Sequence, residues 1–249
     1  MRPRVLVFQH AASCPPGSFA THLADDGIEP TIIHLNEGAA IPPLDDFDTL
    51  IVFGGPQDVW EEEKYPWLAQ EKTAIRRWVR DLDRPYLGIC LGHQLLAESL
   101  GGTVSLAPKP EVALWDINLN LTAQQTKLFA GFGASTLALQ FHGAEVTALP
   151  PNGRALASSR DCLIAAMAVG PAAFGVQYHI EATEESVRTW STTPPSCNLI
   201  EQLKDTTSAQ GLILQMALAA EKLRANSRRF YDNFMDLARR RALAQTHGM

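Results

Sequence analysis

Four short apolar runs, Val5 to Phe8, Thr31 to His34, Leu50 to Phe53 and Tyr86 to Ile89, punctuate the first part of the chain. Runs of this length, rich in Val, Ile and Leu and bounded by polar segments, are the pattern of strands buried on both faces. Between them, Ser18 to Asp26 and Trp67 to Asp81 carry apolar residues at helical spacing, with Arg76, Arg77 and Arg80 on the polar side. The alternation predicts a parallel sheet with helices covering both faces. After Leu100 the texture changes. Gly101-Gly102 leads into closely spaced strand-like pieces at Thr103 to Leu106, Val112 to Leu121, Leu137 to Phe141, Ala155 to Ser158, Leu163 to Val169 and Phe174 to Tyr178. Such spacing predicts antiparallel strands added to the parallel core. Thr192 to Pro195 and Cys197 read as a connection, and Ala209 to Arg241 as one or two helices ending in Arg239, Arg240 and Arg241, a docking or oligomerisation element.

Composition narrows the classes of partner. A chain with 46% hydrophobic and 19% charged residues is an ordinary globular protein. A formal charge of -6 and a pI near 5.6 argue against a nucleic-acid partner, which is normally met by clustered Lys and Arg. Gln9 and His10 interrupt the apolar run that follows Met1-Arg2-Pro3-Arg4, so this segment reads as a first strand rather than a secretory signal. No stretch approaches the roughly 20 apolar residues of a membrane span, and Leu212 to Ala220 is broken by Gln215. A soluble, cytoplasmic protein with no membrane partner is expected. Cys14, Cys90, Cys162 and Cys197 stand far apart, which fits neither a disulfide framework nor a CxxC zinc site.

The most informative segment is Pro85 to Gln94, where an apolar strand runs into Gly88-Ile89-Cys90-Leu91-Gly92 and a helix-compatible run follows. A sharp strand-to-helix turn with glycine on either side would expose the thiol and place it at a helix N-terminus, where the dipole favours the thiolate. A buried core cysteine is the plain alternative. A cysteine nucleophile needs a base and a group that orients the base. Gly175 to Glu181 offers both: a strand predicted to end at His179, and Glu181 two positions on, on the same side if the chain stays extended. A Cys-based α/β-hydrolase fits less well, because its acid normally precedes its His by a long stretch. A metal site of His142, His179 and Glu181 can be drawn, yet it lacks the H-E-x-x-H pattern and leaves the glycine-flanked turn unexplained.

With these residues in view, the chain resembles the class I glutamine amidotransferases, especially stand-alone members similar to the glutaminase domain of GMP synthase. The likeness spans roughly Arg4 to Thr189. It rests on Gly88 to Gln94, on Gly175 to Glu181 with Tyr178 where the family has Phe, on Gly54-Gly55-Pro56 after a strand, and on Tyr65-Pro66-Trp67-Leu68. The resemblance implies an α/β, flavodoxin-like, mostly parallel sheet flanked by helices, with added antiparallel strands and a C-terminal helical extension. Residues 1–190 would form the catalytic domain, and 191–249 the extension packed on it. It also implies roles: Cys90 as nucleophile, His179 as base, Glu181 as its orienting acid, and backbone N–H groups of Gly55 and Leu91 as oxyanion donors. Gly54, Gln94, His142 and Gly143 would contact the substrate. Glu111-Val112-Ala113 resembles a family segment with Gly in place of Ala113. One departure matters: Ala144 stands where the family has an Asp that pairs with the α-amino group of glutamine, and strand alternation turns Glu145 to the opposite face.

The expected activity is hydrolysis of the γ-amide of glutamine, or of a γ-glutamyl compound, through a γ-glutamyl thioester, with no cofactor and no metal. No ATP-binding or pyrophosphatase motif is visible, so a synthetase would be a separate subunit. The alternatives are a self-sufficient γ-glutamyl peptidase and a non-catalytic metabolite- or partner-binding module. A homo-oligomer is a further open partner. His10, Cys14, His93, Cys162 and Cys197 are read as structural, and Asp58 to Glu63 as a solvated loop or helix start.

Overall fold

The structure, a computed structural model, describes residues 2–194, 196–203 and 208–247. Strands β1 (Val5–Gln9), β2 (Thr31–His34), β3 (Thr49–Val52), β4 (Tyr86–Ile89), β5 (Thr103–Leu119), β6 (Ser135–Ala148), β7 (Gly153–Ser158), β8 (Ala166–Val169) and β9 (Ala173–Val176) form one sheet, ordered β2-β1-β3-β4-β9-β8-β7-β5-β6. The first five in that order are mutually parallel and the remaining pairings antiparallel. The helices are α1 (Ser18–Asp25), α2 (Trp67–Arg80), α3 (Leu91–Ser99), α4 (Leu121–Gln124), α5 (Glu184–Thr192), α6 (Ser196–Gln202), α7 (Ala209–Leu218) and α8 (Ala220–His247). No helix among the described residues is long and apolar enough to cross a membrane.

Alternation along each parallel strand divides the core between the two sheet faces. Val5 and Val7 of β1 pack with Phe19 of α1 and with Phe230, Tyr231, Phe234 and Met235 of α8. Leu6 and Phe8 turn the other way, toward Leu68, Ile75 and Trp78 of α2 and Leu95 and Leu96 of α3. A third cluster joins β5 and β6 to α5, α6 and α7 through Val112, Leu139, Phe141, Trp190, Ile200, Leu212 and Met216. The basic end of α8 docks on the chain itself: Arg239 pairs with Asp26, and Arg241 with Asp83.

Several predicted bounds shift for physical reasons. Thr103 to Leu106 and Val112 to Leu121 are one long strand, β5, whose register slips between Leu106 and Glu111. Pro108 and Pro110 lie in that interval and supply no N–H to a ladder. Leu121 starts α4, where Asn120 caps the helix through Ala123 N–H. β8 starts at Ala166 rather than Leu163, because Ser159 and Cys162 close a turn before it. β9 ends at Val176 instead of Tyr178. Beyond it the chain changes partner, Gln177 N–H donating to Ala165 and His179 N–H to Leu139 of β6.

Because Phe234 is fully buried between α8 and the sheet, Phe234→Ala should lower unfolding stability by about 3–5 kcal/mol. Urea denaturation measures this, and a loss below about 1 kcal/mol would mean that α8 is not part of the core.

Candidate active site

Cys90 sits between the C-terminal end of β4 and the start of α3, at φ 53° and ψ -106°. A residue with a side chain adopts such a backbone only when its surroundings enforce it. Here the Cys90 N–H donates to Val176 of β9 at 2.8 Å, and the Cys90 carbonyl accepts from His93 and Gln94 N–H at 3.0 and 3.1 Å. The turn closes because its flanking residues lack a Cβ. One added to Gly88 would lie 2.3 Å from the Gly92 carbonyl oxygen, and one on Gly92 would lie 2.2 Å from that of Val52. The thiol therefore stands at the N-terminus of a buried helix whose first N–H groups have no intrahelical acceptor.

His179 and Glu181 reach this point from beyond β9. His179 Nδ1 bonds Glu181 Oε1 at 2.7 Å, and both side chains are buried. With Nδ1 engaged, the other ring nitrogen is left for the Cys90 sulfur, which the ring also hydrogen-bonds. Gln177 Nε2 approaches the same sulfur at 3.6 Å. Burial alone would favour neutral imidazole, but the Glu181 and Cys90 charges outweigh it and hold the His179 pKa at about 10. Trp190 of α5 packs on the His179 ring, with centroids 4.7 Å apart, and is itself tied down by its indole N–H to Ser13 O. Cys14 lies close by, its thiol pushed up to about 12 chiefly by burial, so it stays protonated.

The Gly54-Gly55 loop leaves β3 at the same sheet edge. A Cβ on Gly54 would fall 3.0 Å from His179 Cε1 and 3.5 Å from Cys90 Cβ, so these three residues converge. The loop is held from behind. His10, just past the end of β1, lies with Nδ1 3.2 Å from the Gly54 carbonyl oxygen and Nε2 3.0 Å from Glu71 Oε1, all buried. Burial opposes a charge on His10, yet Glu71 raises its pKa, so the ring can donate at both nitrogens. In a trans peptide the N–H points opposite to the C=O. Fixing the Gly54 carbonyl toward His10 thus turns the Gly55 N–H the other way.

Cys90 opens onto a cleft of about 540 Å³. Its walls include Gly55 and Asp58 on one side, Gln94 at the base, Phe141 to Ala144 of β6, Leu106, Ala107 and Pro110 of the β5 irregularity, and α6 through Ser196, Asn198, Leu199 and Gln202. Gln94 Nε2 donates to Ala144 O and to Gln177 Oε1, which leaves its carbonyl oxygen for a ligand. His142 is taken up at both nitrogens, by Glu111 and by the Ala144 carbonyl, so its ring stiffens the wall. The structure thus brings together Cys90, His179, Glu181, Gly54, Gly55, Leu91 and Gln94, with His142 and Gly143 at the cleft rim. It does not gather His142 with His179 and Glu181 as ligands of one ion. Among the described residues, Glu111, His142 and Cys162 do bring ligand atoms within 4.8 Å of one another. Those atoms already serve a network in which Glu111 accepts from Ser159 and from the Asp161 N–H.

Residues 18–189 match the sequence model of the Glutamine amidotransferase class-I family, and the chain belongs to that family. It is 36% identical over 160 residues to the glutamine-hydrolysing subunit of the GMP synthase of Sulfolobus acidocaldarius, covering 61% of this chain and 80% of that one. It is 32% identical over 188 residues to the glutamine amidotransferase-like protein YfeJ of Salmonella typhimurium, covering 74% and 78%. In fold it matches a glutamine amidotransferase from Thermotoga maritima with a TM-score of 0.83 at 23% identity, over 94% of this chain and 99% of the other. A glutamine amidotransferase from Methylobacillus flagellatus gives 0.82 at 21%, over 95% of each.

Four contributors to the site escaped the sequence reading: Asp58, the His10–Glu71 pair, Gln177 and Trp190. His10 carried a usable signal, since it follows a parallel strand at the edge where such folds bind ligands. Glu71 and Trp190 carried none, being helical residues whose partners are distant in sequence. The His10 proton is held more tightly in the folded chain than in the unfolded one, where the value is near 6.5. The pair's stabilisation is therefore full below about pH 6.5 and is lost as pH rises through the folded-state value. Glu71→Gln should reduce stability by about 3 kcal/mol or more at pH 6, and by less at alkaline pH. Urea denaturation at pH 6 and pH 9.5 gives the comparison; an equal loss at both would contradict a charged His10.

Proposed function

We propose that the chain hydrolyses the γ-amide of glutamine, or of a related γ-glutamyl compound, with Cys90 as nucleophile. The observation that carries this reading is the buried relay from Glu181 through the His179 ring to the Cys90 sulfur, beside a cleft. In the first step the Cys90 thiolate attacks the γ-carbonyl carbon. The oxyanion that forms is met by the N–H groups of Gly55 and Leu91, donors of a kind worth about 2.7–4 kcal/mol each. His179, charged through its contacts with Glu181 and Cys90, gives its proton to the departing ammonia and leaves a γ-glutamyl thioester. Water then enters, neutral His179 takes one of its protons, and attack on the thioester releases glutamate and restores the thiolate–imidazolium pair. Glu181 holds Nδ1 throughout, so the same nitrogen faces the chemistry in both half-reactions.

The likeness to the glutamine-hydrolysing subunit of a GMP synthase supports a setting in which the released ammonia passes to a separate synthetase chain. Another reading, a self-sufficient γ-glutamyl hydrolase, is favoured by the size of the cleft. Its roughly 540 Å³ leaves room for a γ-substituent larger than an amide, and α6 adds a wall of its own. Release of glutamate and ammonia, measured across glutamine and several γ-glutamyl amides and peptides, separates the two. Either way, Cys90→Ala should lose at least about 10⁴-fold in kcat. Retention of turnover by this variant would remove the proposal.

The proton on His179 sets the alkaline limit. With its pKa held near 10, kcat should stay level through pH 8 and fall as pH approaches 10. Glu181→Gln removes the charge that raises this value, so the alkaline limb should move toward the ordinary histidine range and kcat at pH 8.5 should drop about 10²-fold or more. A pH–rate profile that keeps its alkaline limb in place in the variant would contradict the assignment.

A further inference from the structure

The cleft beside Cys90 has an electrostatic imbalance. Among the described residues that line it, Asp58 is the one carboxylate, and no Lys or Arg lines it. Asp58 is half-buried, four residues beyond Gly54, and its carboxylate accepts no hydrogen bond and joins no ion pair among the described residues. The nearby cations are already engaged elsewhere, Lys64 with Glu61 and Lys72 with Glu62 and Glu98. Burial and the Glu61 charge both push the Asp58 pKa upward, as for a carboxylate lacking a counter-ion. Other carboxylates near the cleft are occupied: Glu111 by His142 and Ser159, and Glu181 by His179. Glu145 lies away from it, next to Cys162, as the alternation of β6 requires. Ala144, across the cleft from Asp58, offers only a methyl group.

A glutamine bound with its γ-carbonyl at the Cys90 sulfur carries its α-ammonium group a short aliphatic spacer away, within the same cleft. We propose that Asp58 receives that α-ammonium group, making it the specificity-determining residue of the site and supplying from the Gly54 loop the charge that position 144 lacks. The substrate class is then γ-glutamyl compounds with a free α-amino group. This inference rests on the hydrolytic reading above only for the orientation of the ligand.

The test is calorimetric, in the full chain carrying Cys90→Ala so that ligands bind without turnover. Two ligands are compared: glutamine, and glutaric acid monoamide, which is glutamine without its α-amino group. Glutamine should bind about 10- to 100-fold more tightly, the range expected of a hydrogen bond to a charged group. Adding Asp58→Asn should abolish that preference by weakening glutamine alone, and adding Ala144→Asp to this variant should restore it from the facing wall. The proposal is overturned if the preference survives Asp58→Asn, if both ligands weaken alike, or if the Cys90→Ala chain shows no preference or binds neither. Turnover by the unaltered chain is scored separately. A glutamine preference dependent on Asp58 in a chain that releases no ammonia would sink the hydrolytic reading and leave the role of Asp58 standing.

Discussion

The backbone of Cys90 is held where an L-residue with a side chain seldom rests, and the site depends on what holds it there. The Cys90 N–H is fixed to Val176, the carbonyl to two N–H groups of α3, and the space for the turn exists only because Gly88 and Gly92 let chain meet chain. A conformation of this kind costs about 1–3 kcal/mol and persists when the surroundings over-determine it. Here β4 lies between β3 and β9 in the middle of a nine-stranded sheet, so the turn cannot relax without disturbing strands on either side. The result is a sulfur presented at a helix N-terminus, at the sheet edge that also receives the Gly54 loop and, just beyond β9, His179.

Three buried histidines within this region show how locally charge is controlled. His93 follows Cys90 by three residues and bonds only a backbone carbonyl, that of Ile164; burial drives its pKa down to about 3, and it is neutral. His10 and His179 are as deeply buried, yet each faces a carboxylate and is pulled the other way. The difference is not burial but the presence of Glu71 or Glu181. One charged ring braces the Gly54 peptide and the other faces the nucleophile, while the neutral ring fills space beneath α3.

Much of this was legible in the sequence because it is local. Thr31–His34 and Tyr86–Ile89 are observed with the bounds that their apolar runs suggest, and the glycine-flanked Cys90 announces its turn. His179 and Glu181 are near enough in sequence to be paired on paper, although β9 stops three residues earlier than expected and the pairing survives through the bridge to Leu139. What could not be read depends on distant contacts. The long β5 looks like two strands because its prolines interrupt the pattern, and only pairing with β6 shows it to be one. Asp58 sits in an acidic run whose other members face solvent or pair with lysines, so composition alone assigns it to water. Trp190 reads as the apolar face of a helix, which it is, but the face it meets is the His179 ring.

The central claim is that Cys90 is an activated nucleophile, distinguished from the other three cysteines by where the fold puts it. Cys14 and Cys162 are buried thiols held protonated by their surroundings, and Cys197 lies on α6, outside the relay. Reaction of the native protein with a diazoketone analogue of glutamine, followed by peptide mass mapping, tests this directly. The account predicts a single adduct, on Cys90, formed at neutral pH and prevented by His179→Ala. No adduct on Cys90, or labelling spread equally over Cys14, Cys90 and Cys197, would contradict it.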